Sequence, residues 1–213
     1  MKHKLLIALV AVVSGLLVWL AFFWNPHSDT HSTTPPLAKA PKGGDFTLQS
    51  ANGPVDLKDL RSKVVLIYFG YTYCPDICPT SLSITAQALS ALDESELRQV
   101  KVLFVSVDPE RDTVDKLKDY TAYFHPNIIG VTGSEKEVAA AAQLYGASYK
   151  KAEVKTDGAY VVDHSAYTYL VDQNGKLIAS IAHATPAAEV LRQIRALLLQ
   201  RLPAPPSPPK PAS

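Results

Sequence analysis

Residues 64–80 read VVLIYFGYTYCPDICPT, an apolar run of strand length followed by a loop that holds both cysteines of the 213-residue chain. The β-branched and aromatic run over 64–71 is typical of a buried strand, and Pro79 suits a first helical position. The loop is therefore predicted to join a strand to a helix. Cys74 and Cys78 are separated by three residues, whereas a C-x-x-C redox motif has two. Any function assigned to the cysteine pair has to account for this additional residue between them.

Strand and helix patterns alternate on both sides of this loop. The alternation predicts an α/β thioredoxin-like domain over 43–202, with a central mixed sheet flanked by helices. In such sheets the site lies beyond the carboxyl ends of the strands, where the cysteine loop falls. The other predicted elements are a hairpin about Asn52-Gly53, strands over 100–108 and 127–133, a helix capped by Asp112 or Thr113, a helix with a Ser134/Glu137 capping box, a hairpin of 165–171 with 176–182, and a helix from Pro186.

The amino end predicts a membrane anchor over residues 1–24. Residues 5–24 carry no charge, and as a helix such a run would be about 30 Å long, the thickness of a hydrocarbon core. Lys2 and Lys4 precede the run, so the positive-inside rule places the amino terminus in the cytoplasm and the domain outside it. A cleaved signal peptide is the alternative. The run is longer than a usual signal h-region, however, and no small-x-small cleavage site follows it.

The segments that flank the domain are predicted to be extended. Residues 25–42 are rich in Pro, Ser and Thr and read as a flexible linker, in which His27 and His31 are interpreted as incidental. Residues 203–213 form a Pro-rich disordered tail. The formal net charge of +1 offers no strong field for a nucleic acid, so no nucleic-acid partner is expected.

The cysteine spacing favours metal chelation over a disulfide. Residues four apart on a helical turn have Cβ atoms about 5–6 Å apart, and a metal with M–S near 2.3 Å tolerates that separation. A disulfide needs Cβ atoms about 3.8 Å apart, so the turn would have to tighten before Cys74 and Cys78 could bond. A helix amino terminus also favours thiolate over thiol.

Two thiolates are few for a metal, so a third ligand is expected from elsewhere. The chain has six histidines. His164 is the candidate, because it is predicted on a loop beside a central strand. His125 ends a helix, and His183 follows a strand at the far edge of the sheet. The residues alone leave the assignment of His164 open.

The motifs YFGYTYCPDICPTSL, SVDPERDT and VVDHSAYTYLVDQNG, in this order, resemble those of the Sco/SenC proteins. The resemblance implies a thioredoxin-like fold with an amino-terminal anchor, and a copper chaperone that helps assemble the binuclear copper site of cytochrome c oxidase subunit II. It implies that Cys74, Cys78 and His164 bind one copper per monomer, as Cu(I) or Cu(II). It further implies a single-pass protein of the bacterial inner membrane, facing the periplasm, with a periplasmic copper donor and a thiol reductant as partners.

Nearby residues suggest supporting roles. Asp76 could tune the site from outside the ligand set or could only cap the helix, and Asp163 could orient His164. Arg111 could pair with a carboxylate. The alternative function is a membrane-tethered thiol–disulfide oxidoreductase that reduces the cysteines of the target site, with Cys74 and Cys78 forming the redox disulfide. Against it, Ala166 stands where thioredoxin-like reductants carry a cis-proline.

Overall fold

The computed structural model divides the chain into two compact units, Met1–Thr33 and Thr34–Ser213. In the first unit the described residues are helical and exposed. None of the described helices is long and apolar enough to cross a membrane. The predicted anchor, linker and tail fall largely outside the described residues, so they stay predictions. The residues that the structure describes are 13–16, 19, 41–152 and 160–200.

The second unit alternates strands and helices as the sequence predicted. A 3-10 helix, Leu57–Leu60, follows its first hairpin. In chain order the other described elements are β1 (Thr47–Ser50), β2 (Gly53–Asp56), β3 (Val64–Gly70), α1 (Ile77–Ser90), α2 (Glu94–Leu97), β4 (Val100–Ser106), α3 (Val114–Phe124), β5 (Ile128–Val131), α4 (Glu135–Tyr145), β6 (Tyr149–Lys151), β7 (Val162–His164), β8 (Tyr167–Val171), β9 (Leu177–Ala182) and α5 (Ala187–Leu198).

The central sheet has the strand order β5-β4-β3-β8-β9. Strand β3 runs parallel to β4 and antiparallel to β8, so the sheet is mixed as predicted. All seven residues of β3 are buried, as expected for an unbroken apolar strand that is covered on both faces. The strand ends at Gly70, and the cysteine loop therefore starts at the middle of the sheet.

Helices pack against both faces of the sheet. On one face, α1 packs against α3 and α5. On the other face, Tyr145 of α4 contacts Phe69 of β3 and Tyr169 of β8 through its ring. This layering buries the apolar side chains of both sheet faces and leaves the loops at the carboxyl ends of the parallel strands free to build a site.

Helix α1 begins at Ile77, two residues earlier than the prediction that placed Pro79 first. Asp76 occupies the N-cap position, but its carboxylate does not cap the backbone. The Cys78 backbone N–H instead donates to Cys74 Sγ, at 3.4 Å. A cysteine sulfur therefore caps this helix, and sequence-based capping rules, which look for oxygen acceptors, do not anticipate it.

Other predicted boundaries are confirmed or refined. Thr113, rather than Asp112, is the N-cap of α3, and the Ser134/Glu137 capping box of α4 is present. The short strands β6 and β7, which pair antiparallel with each other, were not predicted. His164 is therefore the last residue of a strand, and the prediction of a loop position is wrong.

Candidate metal centre

The structure brings the three predicted ligands together. One ligand atom each from Cys74, Cys78 and His164 lies within 4.8 Å of the other two. His164 Nε2 is 3.3 Å from Cys78 Sγ. Two sulfurs and one ring nitrogen thus surround a common point beyond the carboxyl end of β3.

Cys74 is the half-buried sulfur of the pair. A hydrogen bond from the Cys78 thiol is the largest of the effects that lower the pKa of Cys74 to about 4, and His164 and the backbone N–H groups of Cys78 and Asp76 add to it. The free N–H groups at the start of α1 point at this sulfur, as at other anion-binding helix termini. Cys74 is therefore a thiolate at neutral pH.

Cys78 is fully buried, and burial raises the pKa of its thiol well above the ordinary value. The negative charge of Cys74 raises it further, since two adjacent thiolates repel each other. Its sulfur lies close against the backbone of β3, because a Cβ added at Gly70 would be only 2.7 Å from Cys78 Sγ. The missing side chain at Gly70 makes the space that the sulfur fills.

His164 is held from the side by aromatic rings. The rings of Tyr71 and Tyr68 lie edge-on to its imidazole, with centroids at 5.8 Å and 6.1 Å. Its Nδ1 lies 3.4 Å from the Ser165 carbonyl oxygen. Strand β7 pairs with β6 so that His164 is opposite Tyr149. This arrangement directs Nε2 toward the cysteines.

A polar cluster joins the segment that leads into β7, the strand of His164, to the turn that follows β4. Arg111 forms an ion pair with the buried Asp108 and donates through Nη1 to the Tyr160 carbonyl oxygen at 2.9 Å. The Tyr160 hydroxyl donates to Asp108 at 2.7 Å. The guanidinium of Arg111 also lies 3.5 Å from the centroid of the Tyr160 ring. The Tyr71 hydroxyl accepts a hydrogen bond from the Val162 N–H, at 3.2 Å. The prediction that Arg111 pairs with a carboxylate is confirmed.

A second buried carboxylate braces the cysteine loop. Asp112 accepts from the Thr72 N–H at 2.9 Å and from the Thr72 hydroxyl at 2.5 Å. It also accepts from the Ser106 hydroxyl at 2.7 Å. These three bonds fasten the loop, two residues before Cys74, to the end of β4. The SVDPERDT motif thus supplies the supports of both halves of the site.

The remaining predicted residues lie outside the cluster. Asp76 is exposed and its carboxylate accepts from the Thr80 hydroxyl at 3.3 Å. Asp163 is exposed on the side of β7 opposite to the buried His164. His183 follows the edge strand β9, as predicted, and its Nδ1 is 2.9 Å from the Ser81 hydroxyl oxygen of α1. Tyr68 and Tyr160 were missed, since an aromatic residue in an apolar strand or loop carries no ligand signal of its own.

Two thiolates and one imidazole suit a soft metal ion. This donor set accommodates Cu(I) and can also hold Cu(II), whereas zinc normally takes a fourth ligand. A thioredoxin-like domain with this donor set at the strand ends defines a thiolate-and-imidazole metal-binding protein. Residues 34–199 match the SCO1/SenC family, and the chain belongs to that family.

Individual relatives agree with this assignment. The SCO2-like protein of Rickettsia felis is 40% identical over 138 residues, which are 64% of this chain and 67% of the relative. The structure of Bradyrhizobium japonicum ScoI with copper bound is 38% identical with a TM-score of 0.68, over 74% of this chain and 99% of that one. BsSco, in which a disulfide switch was identified, is a member of the Sco family of cytochrome c oxidase assembly proteins. Its structure is 26% identical with a TM-score of 0.57, over 79% of this chain and 98% of that one.

Proposed function

We propose that this protein is a copper metallochaperone that helps assemble the binuclear copper site of cytochrome c oxidase subunit II. The observation that carries the proposal is the convergence of two cysteine sulfurs and one imidazole within 4.8 Å. The copper-bound state of Bradyrhizobium japonicum ScoI, to which the chain is similar over almost all of that structure, supports copper as the metal.

Cys74, Cys78 and His164 would hold one copper ion per monomer. Cys74 provides a thiolate that exists before the metal arrives, and Cys78 has to release its proton when it binds. The buried Cys78 sulfur and the buried His164 ring exclude water from one side of the site, while the half-buried Cys74 faces the surface. A three-ligand site with one open side suits transfer, because an incoming ligand can bind before the outgoing one leaves.

The cellular setting follows the family. Residues 1–24 would anchor the chain in the bacterial inner membrane with a single span, and residues 25–42 would let the domain reach subunit II from the periplasmic side. A periplasmic copper donor would load the site. A thiol reductant is needed as well, because a disulfide and a bound metal exclude each other at the same sulfurs.

A second candidate function is reduction of the target's cysteines by the same pair. It is favoured by the disulfide switch identified in BsSco and by the Cys74 and Cys78 sulfurs lying within 4.8 Å of each other. Against it, Ala166 is fully buried where a reductant would carry its proline. We therefore rank delivery first.

Ligand variants test the site. The changes Cys74→Ser, Cys78→Ser and His164→Ala should each weaken Cu(I) binding at least about 100-fold, since ligand loss exceeds the 10–100-fold effect of residues outside the ligand set. Competition titration with a Cu(I) chelator measures the affinity. His183→Ala is the matched control, since it removes an imidazole beside α1 that is not a ligand. Unchanged affinity in His164→Ala would exclude the three-ligand site.

A transfer experiment separates the two functions. The copper-loaded protein is mixed with metal-free subunit II, and copper and free thiols are counted on both proteins afterwards. Copper on subunit II with unchanged thiol content supports delivery. New thiols on subunit II, matched by a Cys74–Cys78 disulfide and by copper released to the solution instead of bound to subunit II, would support reduction instead.

A further inference from the structure

The side chain of Tyr68 reaches the metal centre from the middle of β3. Its ring lies 6.1 Å from the imidazole of His164, nearly perpendicular to it, and stacks on Phe104 at 6.3 Å. A Cβ at Gly70 would lie 3.0 Å from Tyr68 Cε1 and 2.7 Å from Cys78 Sγ. The ring edge and the sulfur therefore border the same small space.

The hydroxyl of Tyr68 is buried without a hydrogen-bond partner among the described residues. Buried hydroxyls are nearly always hydrogen-bonded, because an unpaired one loses its water without compensation. An unpaired donor is thus placed beside a sulfur that loses its proton when metal binds.

Ser81, one helical turn after Cys78, is a second polar group near this hydroxyl. It already contacts His183 Nδ1 through its hydroxyl at 2.9 Å. A thiolate that carries negative charge is a stronger acceptor than a neutral hydroxyl, because hydrogen bonds to ionised acceptors are about twice as strong. A Cys78 sulfur that binds a metal is a thiolate, and it is therefore favoured over the Ser81 hydroxyl as the partner.

We propose that the Tyr68 hydroxyl donates an O–H···S hydrogen bond to the Cys78 thiolate in the copper-loaded protein and thereby favours Cu(I) over Cu(II). The inference rests on the proposed function. A hydrogen bond to a coordinating sulfur withdraws electron density that would otherwise stabilise the more positive ion. Tyr68 is a positioning and tuning residue, not a ligand.

The test compares Tyr68→Phe with the wild-type full-length chain. The variant removes one oxygen atom and keeps the ring against His164. We expect the ratio of Cu(I) to Cu(II) affinity to fall about threefold to tenfold, and a tenfold fall lowers the potential by about 59 mV for one electron. The sulfur-to-Cu(II) charge-transfer band should move to lower energy, because the sulfur loses the bond that lowers its donor orbital.

Tyr169→Phe is the matched control. Tyr169 also has a buried hydroxyl without a partner among the described residues, and it packs on the opposite face of the sheet against Phe69 and Tyr145. Neither cysteine affects the pKa of Tyr169. The control should therefore keep the wild-type potential and absorption band, and both variants should unfold at the same denaturant concentration.

The outcomes are distinct. A lower potential and a shifted band in Tyr68→Phe alone support the inference. A wild-type potential in copper-loaded Tyr68→Phe overturns it and leaves the proposed function intact, and an equal shift in both variants also overturns it. Failure of the wild-type chain to bind copper at all would overturn the proposed function and the inference together.

Discussion

Cys74 and Cys78 lie four residues apart on a loop and helix that their own sequence neighbours build, whereas His164 reaches them from 86 residues further along the chain. On the cysteine side, a sulfur caps the helix and Asp112 holds the loop. On the histidine side, the strand is held through Arg111 and Tyr71, which are remote in sequence. Local geometry therefore sets the spacing of the sulfurs, with Asp112 bracing their loop from the end of β4, whereas only tertiary contacts bring the imidazole to them.

This difference implies that the two sides can be loosened separately. A change at Arg111 or Tyr71, which hold the strand of His164, should release His164 and leave the sulfur pair in place. A change at Gly70, which borders the Cys78 sulfur, should displace the sulfur pair and leave His164 in place. Variants of the two sides distinguish this description from a site in which all three ligands move as one.

The largest effect is expected from Arg111→Gln on the histidine side. The change leaves the buried Asp108 without its cation, and breaking a buried ion pair costs about 3–5 kcal/mol of unfolding free energy. Copper bound by the variant should lose its nitrogen signature in electron paramagnetic resonance and keep its sulfur ligands. Denaturant unfolding and spectra of the Cu(II) protein measure both quantities.

The control for that change is Arg192→Gln, which removes an exposed arginine paired with Glu189 on one helix. Exposed pairs contribute little, so its unfolding curve should stay close to that of the wild type. Equal losses in the two variants, or a retained nitrogen signature in Arg111→Gln, would contradict the division into two sides.

The alkylation rates of the two cysteines should depend differently on pH. The rate of Cys74 should stay constant, whereas that of Cys78 should rise about tenfold per pH unit below its raised pKa. Cys74 has a pKa of about 4, so it is already a thiolate and its alkylation rate should be constant from pH 5 to pH 8. The pKa of Cys78 is raised, so its thiolate fraction and its rate should rise with pH over the same range. Mass spectrometry of the metal-free protein after iodoacetamide pulses measures each rate.

Each cysteine serves as the other's control, because both belong to one protein molecule and are exposed to the same reagent solution. Cys78 is fully buried, so the pH profiles of the two rates are compared and not the rates themselves. Parallel pH profiles for the two residues would show that the proton is not held by Cys78. A rising profile for Cys74 would show that the start of α1 does not stabilise its thiolate.

The change Gly70→Ala tests the space beneath the sulfurs. The new Cβ would lie 2.7 Å from Cys78 Sγ, and overpacking of a core costs about 1–3 kcal/mol of unfolding free energy. Copper affinity should fall while His164 keeps its place. Adding Cys78→Ala removes the clashing atom, so the double variant should be less destabilised by the alanine at position 70. Strictly additive losses would argue against this contact.

The smallest effect is expected from Tyr71→Phe. The change removes the acceptor of the Val162 N–H but keeps the ring against His164. Loss of one such hydrogen bond costs about 1 kcal/mol. Hydrogen exchange at the Val162 amide should become faster, and amides of α1 should keep their protection. Unchanged protection at Val162 would show that Tyr71 does not hold this strand.

Local sequence signals predicted the core elements. The apolar run of β3 and the capping box of α4 each reflect interactions within a few residues, so the pattern alone sufficed. The start of α1 was placed two residues late because a sulfur caps it. Strands β6 and β7 were missed, since each has three residues and is stabilised by a partner more than ten residues away.

The sequence by itself determined that two thiols would share the start of a helix at the strand ends, because that geometry depends on a four-residue spacing and on local capping. It made His164 the candidate for the third ligand without settling the assignment, and the family resemblance then implied it. Only the tertiary structure decided which imidazole meets the sulfurs, which carboxylates brace each side, and that an unpaired Tyr68 hydroxyl lies beside Cys78. Those contacts join residues tens of positions apart, and their energies depend on burial that no local pattern encodes.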